Sequence, residues 1–170
     1  MDKIPRWTYQ DVRLYHGTTK LAATDIVESG VDVAKGRSPC DFGPGFYCTT
    51  VGFQARIWAE RKAILRNEEP AVVEIAMPRQ AMARLNFLAF VLAVPEASDF
   101  WSFVRSCRSS ADHGFYEPKQ SGAAYDIVLG PVAANWKTCL ARPGSDQVSF
   151  HTETAQNGLN NSATPSIINS

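Results

Sequence analysis

Short runs of strand formers mix irregularly with helical stretches along this chain, and no regular strand–helix–strand alternation sets in. That pattern argues against a doubly wound parallel sheet and for an α+β domain. Residues 11–18, DVRLYHGT, read as a strand ending at His16-Gly17. A helix follows, capped by Thr18 or Thr19, with Leu21, Ala22, Ile26 and Val27 as its apolar stripe and Gly30 as its stop. Residues 31–41 read as a polar loop long enough to cover a site, and residues 45–49 as a second strand.

The clearest helix spans residues 52–67, with Phe53, Ile57, Trp58, Ile64 and Leu65 as its expected buried stripe. AVVEIAMP and RLNFLAF read as strands, and residues 96–109 as an amphipathic helix carrying Phe100, Trp101, Phe103 and Val104. YDIVLGPVA reads as a buried strand cut by Gly130-Pro131, WKTCLA and DQVSF as two short strands, and TETAQNGLN as a helix capped by Thr152. We expect a single domain over residues 1–159 and a disordered tail over 160–170, NNSATPSIINS.

Composition narrows the function. Lys plus Arg and Asp plus Glu are both 17, so no net positive field is available to hold a nucleic-acid backbone. Arg56, Arg61, Lys62 and Arg66, and the pair Arg79 and Arg84, read as solvated helix faces. Cys40, Cys48, Cys107 and Cys139 form no C-x-x-C pair and have no histidine at zinc-finger spacing, so no metal is expected. They read as reduced thiols of a cytoplasmic protein, with Cys48 a small buried hydrophobe. No run reaches the roughly 18 apolar residues of a membrane helix, and we expect no membrane partner.

Two segments carry candidate chemistry, LYHGTT and DFGPGFYCTT. The glycines of the second do not spell G-x-G-x-x-G, so the usual dinucleotide fingerprint is absent. A histidine at one strand end and a tyrosine on another suit a flat, polar, aromatic ligand. An amide-bearing ring would pair with the Gly17 backbone and stack on Tyr47 while His16 holds a sugar hydroxyl. A structural histidine and a core aromatic fit the same residues. Asp41 reads as a turn-fixing carboxylate, Arg37 as a loop arginine within reach of a phosphate, Trp58 as core and Gln54 as facing the cleft.

Taken together, LYHGT, DFGPGFYCTT followed by QARIWA, YDIVLGPVA and DQVSFHTE resemble the His-Tyr-Glu class of ADP-ribosyltransferases, which includes diphtheria toxin and the poly(ADP-ribose) polymerases. The closest resemblance is to a widespread family of small related domains with these blocks, and it covers roughly residues 13–158. It implies a split β-sheet fold, two small antiparallel sheets with flanking helices and NAD in the cleft between them. By that resemblance His16 bonds a ribose hydroxyl, Gly17 clamps the nicotinamide amide and Tyr47 stacks on the ring; Thr18, Phe46 and Arg37 are further candidates for the NAD site.

The resemblance departs at the third catalytic position, where Gln147 stands in place of glutamate and Glu153 is the other candidate. A glutamine accepts a hydrogen bond but brings no full charge. The activity implied is therefore mono-ADP-ribosyl transfer from NAD to a protein or nucleic-acid acceptor. An NAD glycohydrolase and a non-catalytic NAD or ADP-ribose binder are the alternatives, and a regulatory or antitoxin partner fits such a protein. The related RNA 2′-phosphotransferases fit less well, because the expected basic set around the His-Gly strand is missing.

Overall fold

The structure, a computed structural model, describes residues 11–36, 40–109 and 125–168. Among these residues seven strands fall into two sheets. The first is antiparallel throughout, in the order β1 (Asp11–Thr19), β3 (Pro70–Pro78), β7 (Thr164–Ile168). The second runs β2 (Phe46–Cys48), β6 (Leu140–Phe150), β5 (Ile127–Asn135), β4 (Phe87–Ala89). It is mixed, because β4 pairs parallel to β5, where two antiparallel sheets were expected. The helices are α1 (Lys20–Ser29), α2 (Gly52–Arg66), α3 (Arg79–Met82), α4 (Ser98–Ser109) and α5 (Glu153–Ser162). Among the described residues no helix is long and apolar enough to cross a membrane.

The sheets stack face to face. Leu14, Val73, Ile75 and Met77 of the first meet Phe46, Cys48, Val148, Phe150 and Ile127 of the second in the main core, closed by Ala23 of α1 and by Ala155 and Leu159 of α5. Helix α4 covers the far face of the second sheet through Phe100, Trp101, Phe103 and Val104, joined there by Phe42. Each such side chain stabilises the fold by about 1.5–3 kcal/mol when fully buried. The Trp101 indole donates to the Val94 carbonyl at 2.8 Å, so its burial leaves no polar atom unsatisfied.

Helix α2 covers the far face of the first sheet, with the opposite side inward from the one its hydrophobic pattern suggests. Ala55, Ala59 and Ala63 are buried, whereas Ile64 is 80% and Leu65 85% exposed, and Phe53 and Trp58 are also exposed. The reason lies on β1. A Cβ at Gly17 would lie 1.9 Å from the Ala55 carbonyl oxygen, so helix and strand touch at backbone distance and only small residues fit between them. Helix α1 departs in a similar way: Ala23 is buried, whereas Leu21 and Val27 face outward.

Four further expectations are corrected. Thr19 stands at the N-cap of α1 but its hydroxyl makes no cap bond, because the residue is still held in β1 opposite Pro70. The strand through Gly130-Pro131 continues, with register shifts beyond Pro131. The two short strands at WKTCLA and DQVSF give way to one long strand, β6, after a turn. The segment expected to be a disordered tail instead carries α5 to Ser162 and then β7, which pairs Ile168 with Val72 and Thr164 with Ala76. Helix α5 is capped as expected, Thr152 accepting from the Ala155 N–H at 3.0 Å.

Candidate functional site

The two sheets meet at one point. Tyr15 of β1 exchanges both backbone bonds with Thr49, at 2.8 and 3.0 Å. Continued antiparallel, that ladder would next set Gly17 against Tyr47. It does not, because the His16 imidazole takes the carbonyl that Gly17 would need: Nδ1 donates to the Tyr47 carbonyl oxygen at 2.6 Å. The ring is further held by stacking on Phe46, centroids 4.4 Å apart. His16 is thus the wedge at which the sheet splits.

Backbone groups alternate in direction along a strand, so the Gly17 N–H and C=O point the same way as those of Tyr15, away from β3 and into the split. The Gly17 carbonyl accepts from the Lys62 ammonium of α2 at 2.8 Å. Its N–H has no acceptor among the described residues. Burial pushes the His16 imidazole down to about 3, with the Lys62 ammonium acting in the same direction and the backbone bond opposing. The ring is therefore neutral near pH 7. With Nδ1–H committed to a carbonyl, Nε2 is an acceptor.

Consecutive residues of a strand face opposite ways, so Phe46 packs with His16 between the sheets while Tyr47 lies on the other face of β2. There it stands opposite Ser149, with Gln147 of β6 on the same face and His151 just past the end of that strand. The Tyr47 hydroxyl donates to the Gly43 carbonyl at 2.6 Å and accepts from the Phe42 N–H at 3.1 Å, closing the turn in which Gly43 takes a φ of 84°. Burial holds this phenol well above its ordinary range. His151 touches the Tyr47 ring edge-on and donates through Nδ1 to the Pro44 carbonyl at 2.6 Å. The two glycines serve the fold in different ways: Gly43 supplies the positive φ of the turn, and a Cβ at Gly45 would meet the Phe150 carbonyl oxygen at 2.6 Å.

Asp41 is the residue that sequence reasoning undervalued. Read as a local turn carboxylate, it is instead buried at the junction of three elements. It accepts from Arg108 of α4, whose Nε lies 2.8 Å from Oδ1 and whose terminal nitrogen also bonds that oxygen. Its Oδ2 accepts from the Ala133 N–H of β5 and from Gln147 Nε2 of β6, both at 2.8 Å. Gln147 Nε2 also donates to the Pro131 carbonyl at 2.9 Å. Two pure acceptors around one atom identify it as the nitrogen. The amide oxygen is left with no hydrogen bond among the described residues.

That arrangement accounts for glutamine at this position, since a carboxylate there would oppose Asp41 and the Pro131 carbonyl. Gln147→Glu should therefore cost about 1–3 kcal/mol at neutral pH. The folded variant holds the extra proton more tightly than the unfolded chain, so its deficit should grow as pH rises above about 4.3 and shrink on acidification. Urea unfolding of both proteins at pH 5 and pH 7.5 measures this. An equal difference at both pH values would contradict it.

The other candidates divide. Thr18 is buried beside Gly17, and Phe46 carries the His16 ring. Glu153 is exposed in the first turn of α5, where its charge suits the helix N-terminus, and Thr152 provides the cap. Arg37 lies outside the described residues. Gln54 is buried, pairing with the Asp146 backbone through its amide nitrogen at 2.7 Å. The Asp146 side chain in turn accepts from the Thr50 N–H at 2.9 Å and anchors the start of α2. Lys62, expected on a solvated face, is half-buried and reaches the split. Its signal was only that it follows Ala59 by three residues on the alanine side of α2.

Residues 12–142 match the family described as "Protein of unknown function (DUF3990)". The match takes in His16, Gly17, Asp41, Tyr47, Lys62 and Arg108 and ends before Gln147. No curated protein matches the chain.

Proposed function

The chain belongs to the DUF3990 family, and we propose that it is a mono-ADP-ribosyltransferase, cleaving the nicotinamide–ribose bond of NAD in the split between the sheets. The observation that carries the reading is the His16 wedge, which sets a neutral imidazole with Nε2 as an acceptor beside a Gly17 N–H without an acceptor among the described residues. An acceptor and a donor one residue apart suit a sugar hydroxyl and the carbonyl of a ring substituent. Tyr47, next to Phe46 on β2, turns its ring to the face of that strand shared with Gln147 of β6.

In the proposed reaction the nucleophilic atom of the acceptor bonds C1′ of the nicotinamide ribose as the bond from C1′ to the ring nitrogen breaks. The electron pair leaves with the ring as neutral nicotinamide, and the acceptor's proton passes to solvent. His16 Nε2 accepts from a ribose hydroxyl, and Gln147 Oε1 accepts from the 2′-hydroxyl. The hydrogen bonds from Gln147 Nε2 to Asp41 and Pro131 polarise that amide toward its oxygen. A neutral amide stabilises the developing positive charge less than a carboxylate does, which favours one transfer over chain growth. Water as acceptor makes the same chemistry a glycohydrolase. The missing charge at Gln147 is also what favours the non-catalytic reading.

His16→Asn keeps an N–H for the Tyr47 carbonyl but loses Nε2. It should fold and lower nicotinamide release by about 100-fold, the scale of one lost polar contact in a reacting site. Unaltered turnover in a folded His16→Asn protein would remove His16 from the mechanism.

A further inference from the structure

The Gly17 edge presents donors only. The glycine N–H points into the split, and the carbonyl beside it, the natural acceptor for a carboxamide NH2, is occupied by the Lys62 ammonium at 2.8 Å. Lys62 is half-buried and makes no ion pair with any carboxylate among the described residues. Its ammonium is close enough to His16 to act on the imidazole, which places it at the same end of the split. Burial and the neighbouring Arg66 guanidinium both disfavour its charge, and an anion would relieve both.

We propose that this edge reads a carboxylate, so that the preferred ligand is a dinucleotide whose pyridine ring bears a carboxylate in place of the carboxamide. The inference rests on the dinucleotide reading above and specifies the substrate class of that site. A ring carboxylate is an acceptor at both oxygens. One oxygen takes the Gly17 N–H and the other takes Lys62 in a charge-assisted bond, in a setting only partly screened by water. A carboxamide turned the same way brings its NH2 against the ammonium, donor against donor. Among the described residues the basic character at this edge comes from α2, through Lys62 with Arg66 one turn on.

Calorimetric titration of the whole chain with NAD and with nicotinic acid adenine dinucleotide tests this. The wild-type protein should bind the acid form about tenfold more tightly, the scale of one charge-assisted contact. Lys62→Met should abolish that preference, and Lys62→Arg should keep it, with thermal unfolding establishing that each variant is folded. Equal or tighter binding of NAD by the wild type, or a preference that survives in Lys62→Met, overturns the proposal while leaving the dinucleotide site standing. Failure of both dinucleotides to bind the wild type overturns the proposal and the function together.

Discussion

Arg108→Met will destabilise the protein by about 3–5 kcal/mol, the usual cost of leaving one partner of a buried ion pair uncompensated. Asp41 is only 3% exposed, and Arg108 supplies two of its four hydrogen bonds. Without the guanidinium, the carboxylate keeps the Ala133 N–H and the Gln147 amide, neither of which carries charge. The damage should spread, because the same carboxylate joins the glycine turn, α4, β5 and β6. A double-mutant cycle with Asp41→Asn isolates the pair: the double variant should recover part of the loss, since no buried charge is then stranded. Urea unfolding supplies the numbers, and a loss under about 1 kcal/mol for Arg108→Met would mean that the pair is solvated.

Gly17→Ala will be comparably severe for a different reason. The added methyl would lie 1.9 Å from the Ala55 carbonyl oxygen and 2.9 Å from the Ala59 nitrogen, both main-chain atoms that no rotamer change can move. Helix α2 must lift from β1 as a body. Overpacking of this kind costs about 1–3 kcal/mol or more. The shift would also carry Lys62 away from the Gly17 carbonyl, so ligand binding should fall even in protein that remains folded. Thermal unfolding together with dinucleotide titration of the variant tests both effects. A variant with unchanged stability would mean that the helix–strand contact is looser than described.

These two positions show what the sequence disclosed and what it withheld. The existence of β1, α2, α4 and α5 was legible because strand and helix periodicities and the Thr152 cap are local properties. The buried face of α2 was not, because that is decided by its partner: Gly17 admits alanines, and the larger residues of the same helix turn outward. Strand β7 was missed because Ser, Thr, Asn and Pro signal a tail, while its pairing with β3 is supplied by a strand far away in sequence. His16, Gly17 and Tyr47 were legible as motif residues. The Asp41–Arg108 pair was not, since its members lie 67 residues apart and the motif that Asp41 opens does not point to a partner on α4. Lys62 was missed for the reason that misled the α2 assignment, a wrong choice of which helix face turns inward.

The central claim is that the split at His16 and Gly17 holds a pyridine dinucleotide and breaks its glycosidic bond. The most direct measurement follows nicotinamide released from NAD by the purified wild-type protein, with and without cell extract, beside His16→Asn. The account predicts release by the wild type that rises when extract supplies an acceptor and nearly vanishes in the variant. No release under either condition, with the protein folded, would contradict it.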